Sequence, residues 1–174
     1  NGRMVAFVRD NNIYLKKLDY DTEIAVTTDG EINKVINGVP DWVYEEEFSI
    51  TNLMAWSPNS QQLAFVRFDE SEVPEFSMQM FDNGLYPGYY NYKYPKAGER
   101  NSKVTLHSYD VMTKDTKTLN VPIEADSYIP RIAFTKNSDQ LAVMTLNRHQ
   151  NVFNMYYANP KSGVFRLILR DENK

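Results

Sequence analysis

AWSPNSQQLAFV at residues 55–66 and AFTKNSDQLAVM at residues 133–144 are two spellings of one structural phrase. Each has a strand ending in an aromatic residue, a turn built on Asn-Ser, and a second strand opening on Gln-Leu-Ala. The offset is constant at 78 residues, from Ala55 to Ala133 and from Leu63 to Leu141. Asn and Ser suit the turn because their short side chains bond their own backbone there. A partial third copy, MVAFVR at residues 4–9, matches QLAFVR at residues 62–67 with an offset of 58 and lacks the first strand. Two further strand-like runs follow each copy: NIYLK and IAVT, KVTLHSY and KTL, VFNMYY and VFRLIL. Four antiparallel strands per repeat are the signature of a β-propeller blade. The sequence therefore predicts an all-β chain: a partial β-propeller of four-stranded antiparallel blades, in one domain over residues 1–174. Residues 1–30 form an incomplete blade. Residues 31–121 form a blade carrying a short acidic helical turn and an inserted arm at 79–98, and residues 122–174 form another blade. A smaller sheet domain is the alternative. Propellers close with ~4–8 blades, and Asn1-Gly2-Arg3 runs straight into a strand with no leading Met. The expectation is thus a piece of a longer chain, whose open strand edges invite pairing.

Composition narrows the function. The 174 residues are 42% hydrophobic and 24% charged, with a formal net charge of −4, the profile of an ordinary globular protein. Phosphate binding needs clustered Lys and Arg, so the charge argues against a nucleic-acid partner. With no cysteine, disulfides, thiol catalysis and cysteine-based zinc sites are excluded. No apolar run approaches the ~20 residues of a membrane span, and no signal peptide is visible. The 12 Tyr, 9 Phe and 2 Trp suit half-buried pleated surfaces.

One stretch breaks the strand pattern. VPDWVYEEEF at residues 39–48 sets three carboxylates, Glu45, Glu46 and Glu47, in a row after Trp42 and Tyr44. Alternation with period two is absent from 41 to 48, and Asp41 is a good helix N-cap. The reading is a short helical turn just before a strand SITNLMAW. On such a turn neighbouring carboxylates diverge less than on a strand and can converge on a small cation. One account is a solvated acidic turn anchored by Trp42 and Tyr44. The other is a cation site. Hard metal ions draw oxygen ligands from several spaced positions, which three consecutive Glu do not supply. A primary ammonium, with three donors for charge-assisted bonds, fits the acid cluster better.

DWVYEEEF resembles the double-Glu motif of the dipeptidyl peptidase IV family, serine exopeptidases of the prolyl oligopeptidase class. AWSPNSQQLAFVRFDESEVPEFS at 55–77, YPKAG at 94–98, LNRHQN at 146–151 and MYYANPKSG at 155–163 resemble the same family, in order along nearly the whole chain. The resemblance implies an eight-bladed propeller that caps an α/β-hydrolase domain, with this chain a middle part of the propeller. It implies that Glu46 and Glu47 hold the free α-amino group of a peptide substrate, with Asp41, Trp42, Tyr44 and Glu45 supporting the motif. The parent would remove N-terminal dipeptides with Pro or Ala in second place. The Tyr-rich arm at 79–98 would reach a second subunit and make a homodimer. The family acts outside the cytoplasm, and the lack of cysteine suits a bacterial periplasmic or surface member.

The chain supplies no catalytic machinery of its own. It has no G-x-S-x-G elbow, and His107 and His149 have no nucleophile and acid at readable spacing. No phosphate-binding or dinucleotide motif is present, so no cofactor is expected, and no metal. The fragment alone should be inactive, with the triad in the α/β-hydrolase domain of the same parent chain. The competing reading is a non-catalytic β-propeller scaffold for protein interactions.

Overall fold

The computed structural model describes residues 2–173. Three antiparallel sheets follow one another along the chain. β1 (Met4–Arg9), β2 (Asn12–Lys17) and β3 (Thr22–Ala25) form a three-stranded blade that lacks its first strand. β4 (Val35–Asn37), β5 (Met54–Trp56), β6 (Gln62–Asp69), β9 (Lys103–Asp110) and β10 (Thr116–Leu119) form the second. β11 (Tyr128–Phe134), β12 (Leu141–Leu146), β13 (Val152–Ala158) and β14 (Phe165–Glu172) form the third, in sequential order. Between β6 and β9 the chain makes a separate hairpin, β7 (Glu75–Met80) and β8 (Gly88–Lys93). The paired strands of this arm thus begin before residue 79. The architecture is the all-β stretch of propeller that the repeat announced. Among the described residues no helix is long and apolar enough to cross a membrane.

The repeated phrase owes its persistence to one turn. Asn59 Oδ1 accepts the Gln61 N–H at 3.1 Å, and Asn137 Oδ1 accepts the Asp139 N–H at 2.9 Å. Both are Asx turns, in which the side-chain bond adds to the backbone bonds Ser57 N–H to Gln62 O and Thr135 N–H to Gln140 O that close each strand pair. The two turns also touch, because the Asn59 N–H donates to Ser138 Oγ at 3.2 Å.

Blade stacking explains why β6 is apolar on both faces. Successive side chains of a strand point to opposite sides. Leu63 and Phe65 face Ile13, Leu15 and Tyr109, the core between the first and second blades. Ala64, Val66 and Phe68 face the core that continues into the third blade through Ile129, Leu141 and Val143. A middle blade sandwiched between two neighbours buries both surfaces of its central strands, as parallel sheets do in other folds.

Of the strand expected at SITNLMAW only Met54–Trp56 forms, and it shares its position along β6 with an earlier piece of chain. β4 pairs with Arg67–Asp69 at one end of β6, and β5 pairs with Leu63–Phe65 at the other. The chain leaves this shared strand position at Gly38 and rejoins it at Leu53. The Gly38 N–H donates to Val66 O at 2.9 Å, the Val66 N–H to Leu53 O at 3.1 Å, and the Leu53 N–H to Gly38 O at 2.9 Å. These three bonds close the neck of an excursion that holds the acidic motif. Ser49, at φ 52°, is the left-handed cap that ends a helix rather than the start of a strand, while Ile50 and Leu53 are buried beneath it.

Candidate functional site

The excursion contains one short helix, α1 (Trp42–Phe48). Asp41 caps it as its sequence context predicts: Asp41 Oδ1 accepts the Tyr44 N–H at 3.1 Å. The second oxygen accepts Ser102 Oγ–H at 2.6 Å, from the residue that precedes β9. Asp41 is buried, and that burial holds its carboxyl above the usual carboxylate range despite these bonds. Tyr44 is 2% exposed, packed edge-on to Phe48, Phe68 and Tyr128. Its hydroxyl accepts the backbone N–H of Ile129 at 2.8 Å. Burial pushes that hydroxyl well above its ordinary pKa, so it stays neutral. Trp42 is half-buried, its ring centroid 4.3 Å from that of Tyr94. Tyr94 continues a run of ring contacts through Tyr92 to Tyr90 in the arm, at 6.1 and 5.6 Å. The supporting residues Asp41, Trp42 and Tyr44 therefore fasten α1 to the second blade, the third blade and the arm.

The three carboxylates lie on the other side of this arrangement. Glu45, Glu46 and Glu47 are all exposed. None of their carboxylates makes a hydrogen bond or ion pair with the described residues. No basic side chain occupies the last turn of α1, where the helix dipole would favour a cation and disfavours further negative charge. Glu47 lines an open cleft of about 440 Å³ between α1, the return of the arm and the turn after β12, with Trp42, Tyr94, Lys96, Tyr128 and Arg148 among its walls. Glu46 does not line it, in keeping with the ~100° that separates adjacent residues on a helix. Among the described residues no three His, Cys, Asp or Glu side chains gather closely enough to hold a metal ion.

Several residues that shape this region carry no local sequence signal. Ser102 is 61 positions from its carboxylate partner. Arg148 donates to Glu99 O at 2.8 Å, which pins the β12–β13 turn against the arm. Asn101 donates to the Tyr128 hydroxyl at 2.8 Å. Glu70 is buried where the chain enters the arm, and its burial together with Asp41 raises its pKa to about 7.

The two histidines differ: His107 is half-buried and packed, and His149 is exposed. His107 stacks on Phe65 at 5.2 Å and has the Thr105 and Thr118 hydroxyls 2.8 and 3.2 Å from its two ring nitrogens. His149 lies in the turn between β12 and β13.

Comparison with known proteins gives a consistent set of matches. The family described as dipeptidyl peptidase IV (DPP IV) N-terminal region matches residues 1–174. A dipeptidyl-aminopeptidase B of Aspergillus niger is 36% identical over 184 residues, covering 98% of this chain and 20% of that protein. A prolyl endopeptidase FAP of Bos taurus is 35% identical over 158 residues, covering 87% of this chain and 21% of that protein. The crystal structure of Porphyromonas gingivalis dipeptidyl peptidase 4 superposes with a TM-score of 0.97 at 66% identity, covering 99% of this chain and 25% of that one. The chain thus spans about a fifth of the length of the curated relatives it matches.

Proposed function

The chain belongs to the dipeptidyl peptidase IV N-terminal region family, and from that premise we propose that it is the substrate-anchoring part of the propeller of a serine-type dipeptidyl peptidase. In this reading Glu46 and Glu47 bind the free α-ammonium of a peptide, and the parent protein removes N-terminal dipeptides with Pro or Ala in second place. One observation supports it most: Glu45, Glu46 and Glu47 are exposed and unpaired among the described residues, on a helix whose other face is firmly fastened. Three carboxylates so placed repel one another, and among the described residues none forms an ion pair with a protein cation. A primary ammonium relieves that repulsion, and each charge-assisted bond contributes roughly 1.5–3 kcal/mol.

The same anchor measures length. Two extended residues span at most ~7 Å, so fixing the amine fixes which peptide bond reaches the nucleophile. That nucleophile belongs, in this reading, to an α/β-hydrolase domain of the same parent chain. Fixing the amine removes freedom that a bimolecular encounter would otherwise have to lose at the barrier.

The arm carries the second part of the proposal. Phe81, Leu85 and Tyr86 at its tip are 78%, 98% and 88% exposed. Apolar side chains presented so openly suit a protein partner, and we assign that partner as a second copy of the parent. An extracytoplasmic location, in the bacterial periplasm or at the cell surface, fits an enzyme that trims free peptides.

The test is the amine itself. In the full-length protein, acetylation of the substrate N-terminus should lower kcat/KM by at least about 100-fold, as loss of two charge-assisted bonds requires. Equal turnover of acetylated and free substrates overturns the proposal.

A further inference from the structure

The third blade reaches the acidic helix through a defect in its own first strand. β11 and β12 are in regular register from Arg131 to Phe134, but the register shifts between Tyr128 and Arg131. Ile129 falls in that irregularity and has no partner on β12, and Pro130 beside it has no N–H to give. The ladder thus leaves the Ile129 N–H over, and the Tyr44 hydroxyl takes it at 2.8 Å, in a site where both residues are buried. At the start of α1 the second blade does the same with a side chain, Ser102 Oγ–H donating to the capping Asp41 at 2.6 Å. A seven-residue helix held at one point can still swing. Fixed from two blades, its azimuth is set, and with it the directions of Glu46 and Glu47, two and three residues beyond Tyr44.

We infer that Tyr44, seconded by Ser102, is a positioning residue for recognition of the substrate amine, acting through the helix and touching no substrate. The inference rests on the amine-anchoring reading above. It implies that the relative placement of the second and third blades sets the geometry of the anchor, so a shift between blades is felt at the acidic pair.

The experiment uses the full-length protein and three variants, Tyr44→Phe, Ser102→Ala and Glu47→Gln. Each is assayed with a free-amine dipeptidyl substrate. Each is also labelled with a small serine-directed fluorophosphonate that has no amine, which reports the integrity of the catalytic domain. Tyr44→Phe keeps the ring and loses only the acceptor. It should raise KM about 5- to 20-fold, leave kcat within about 2-fold, and leave labelling at the parent rate. Should Tyr44→Phe fail to fold, Ser102→Ala carries the same expectation. A folded Tyr44→Phe with unchanged KM overturns the inference, as does a parallel fall in turnover and labelling, the mark of a merely structural role. Glu47→Gln separates the two layers. If it raises KM while Tyr44→Phe does not, positioning fails and anchoring stands. If it too leaves KM unchanged, anchoring fails and the inference falls with it.

Discussion

The Tyr44 hydroxyl accepts the Ile129 backbone N–H across the boundary between two blades, at 2.8 Å. Phe at this position would keep the ring packing against Phe48, Phe68 and Tyr128 but strand a buried N–H, which costs roughly 1–3 kcal/mol. Tyr44→Phe is therefore expected to lower the unfolding temperature of the propeller by several degrees in scanning calorimetry. Tyr44→Leu, which also removes the ring contacts, should lower it further.

Gly38 is the hinge at which the chain leaves its strand for the acidic helix. Its φ is +78°, and a Cβ there would lie 2.9 Å from Ile13 Cδ1 and Met54 Cγ. Left-handed backbone costs an ordinary residue about 1–2 kcal/mol, and overpacking adds about 1–3. Gly38→Ala should destabilise the protein by roughly 2–5 kcal/mol in urea unfolding. Trimming the neighbour in a Gly38→Ala, Ile13→Val double variant should recover part of that loss.

Glu70 makes stability depend on pH. Burial, then Asp41, raise its carboxyl to about 7, with Lys93 opposing and Asp69 adding a little. The folded state thus holds a proton that the unfolded chain releases near its ordinary value of 4.5. This contribution is fully present below that value and is lost as pH rises through about 7. The loss amounts to at most about 3 kcal/mol. Glu70→Gln should leave stability near pH 4 almost unchanged and raise the melting temperature at pH 8. An equal effect at both pH values would contradict this assignment.

The arm makes a prediction about assembly. Leu85 and Tyr86 are 98% and 88% exposed. If the proposed assembly through the arm holds, the full-length protein sediments as a dimer, and Leu85→Asp with Tyr86→Asp converts it to a monomer with the melting temperature unchanged. Persistent dimers would show that association runs through another surface.

Much of this was legible in the sequence because it is local. Asn59 and Asn137 repeat a turn that works through bonds to residues two positions away, so the phrase survives in the text. Asp41 is legible for the same reason, since an N-cap is read within three residues. The strand that α1 interrupts was not legible as one strand. Its halves, Val35–Asn37 and Met54–Trp56, pair with opposite ends of β6, and nothing local announces that two short runs share a partner. Ser102, Arg148 and the irregularity at Ile129 were hidden for a related reason. Their roles depend on partners 61, 49 and 85 positions away. The acidic run was visible, but its pairing state was not, because a solvated turn and an ammonium site are written with the same letters.

The claim that matters most is that Glu46 and Glu47 wait for a positively charged amine. It is tested by steady-state kinetics of Glu46→Gln and Glu47→Gln in the full-length protein, with free-amine Xaa-Pro substrates and fluorophosphonate labelling as the control. Each variant should lose roughly 10- to 100-fold in kcat/KM, as removal of one charge-assisted bond requires, while labelling proceeds at the parent rate. Parent-like kcat/KM in either variant would contradict the account.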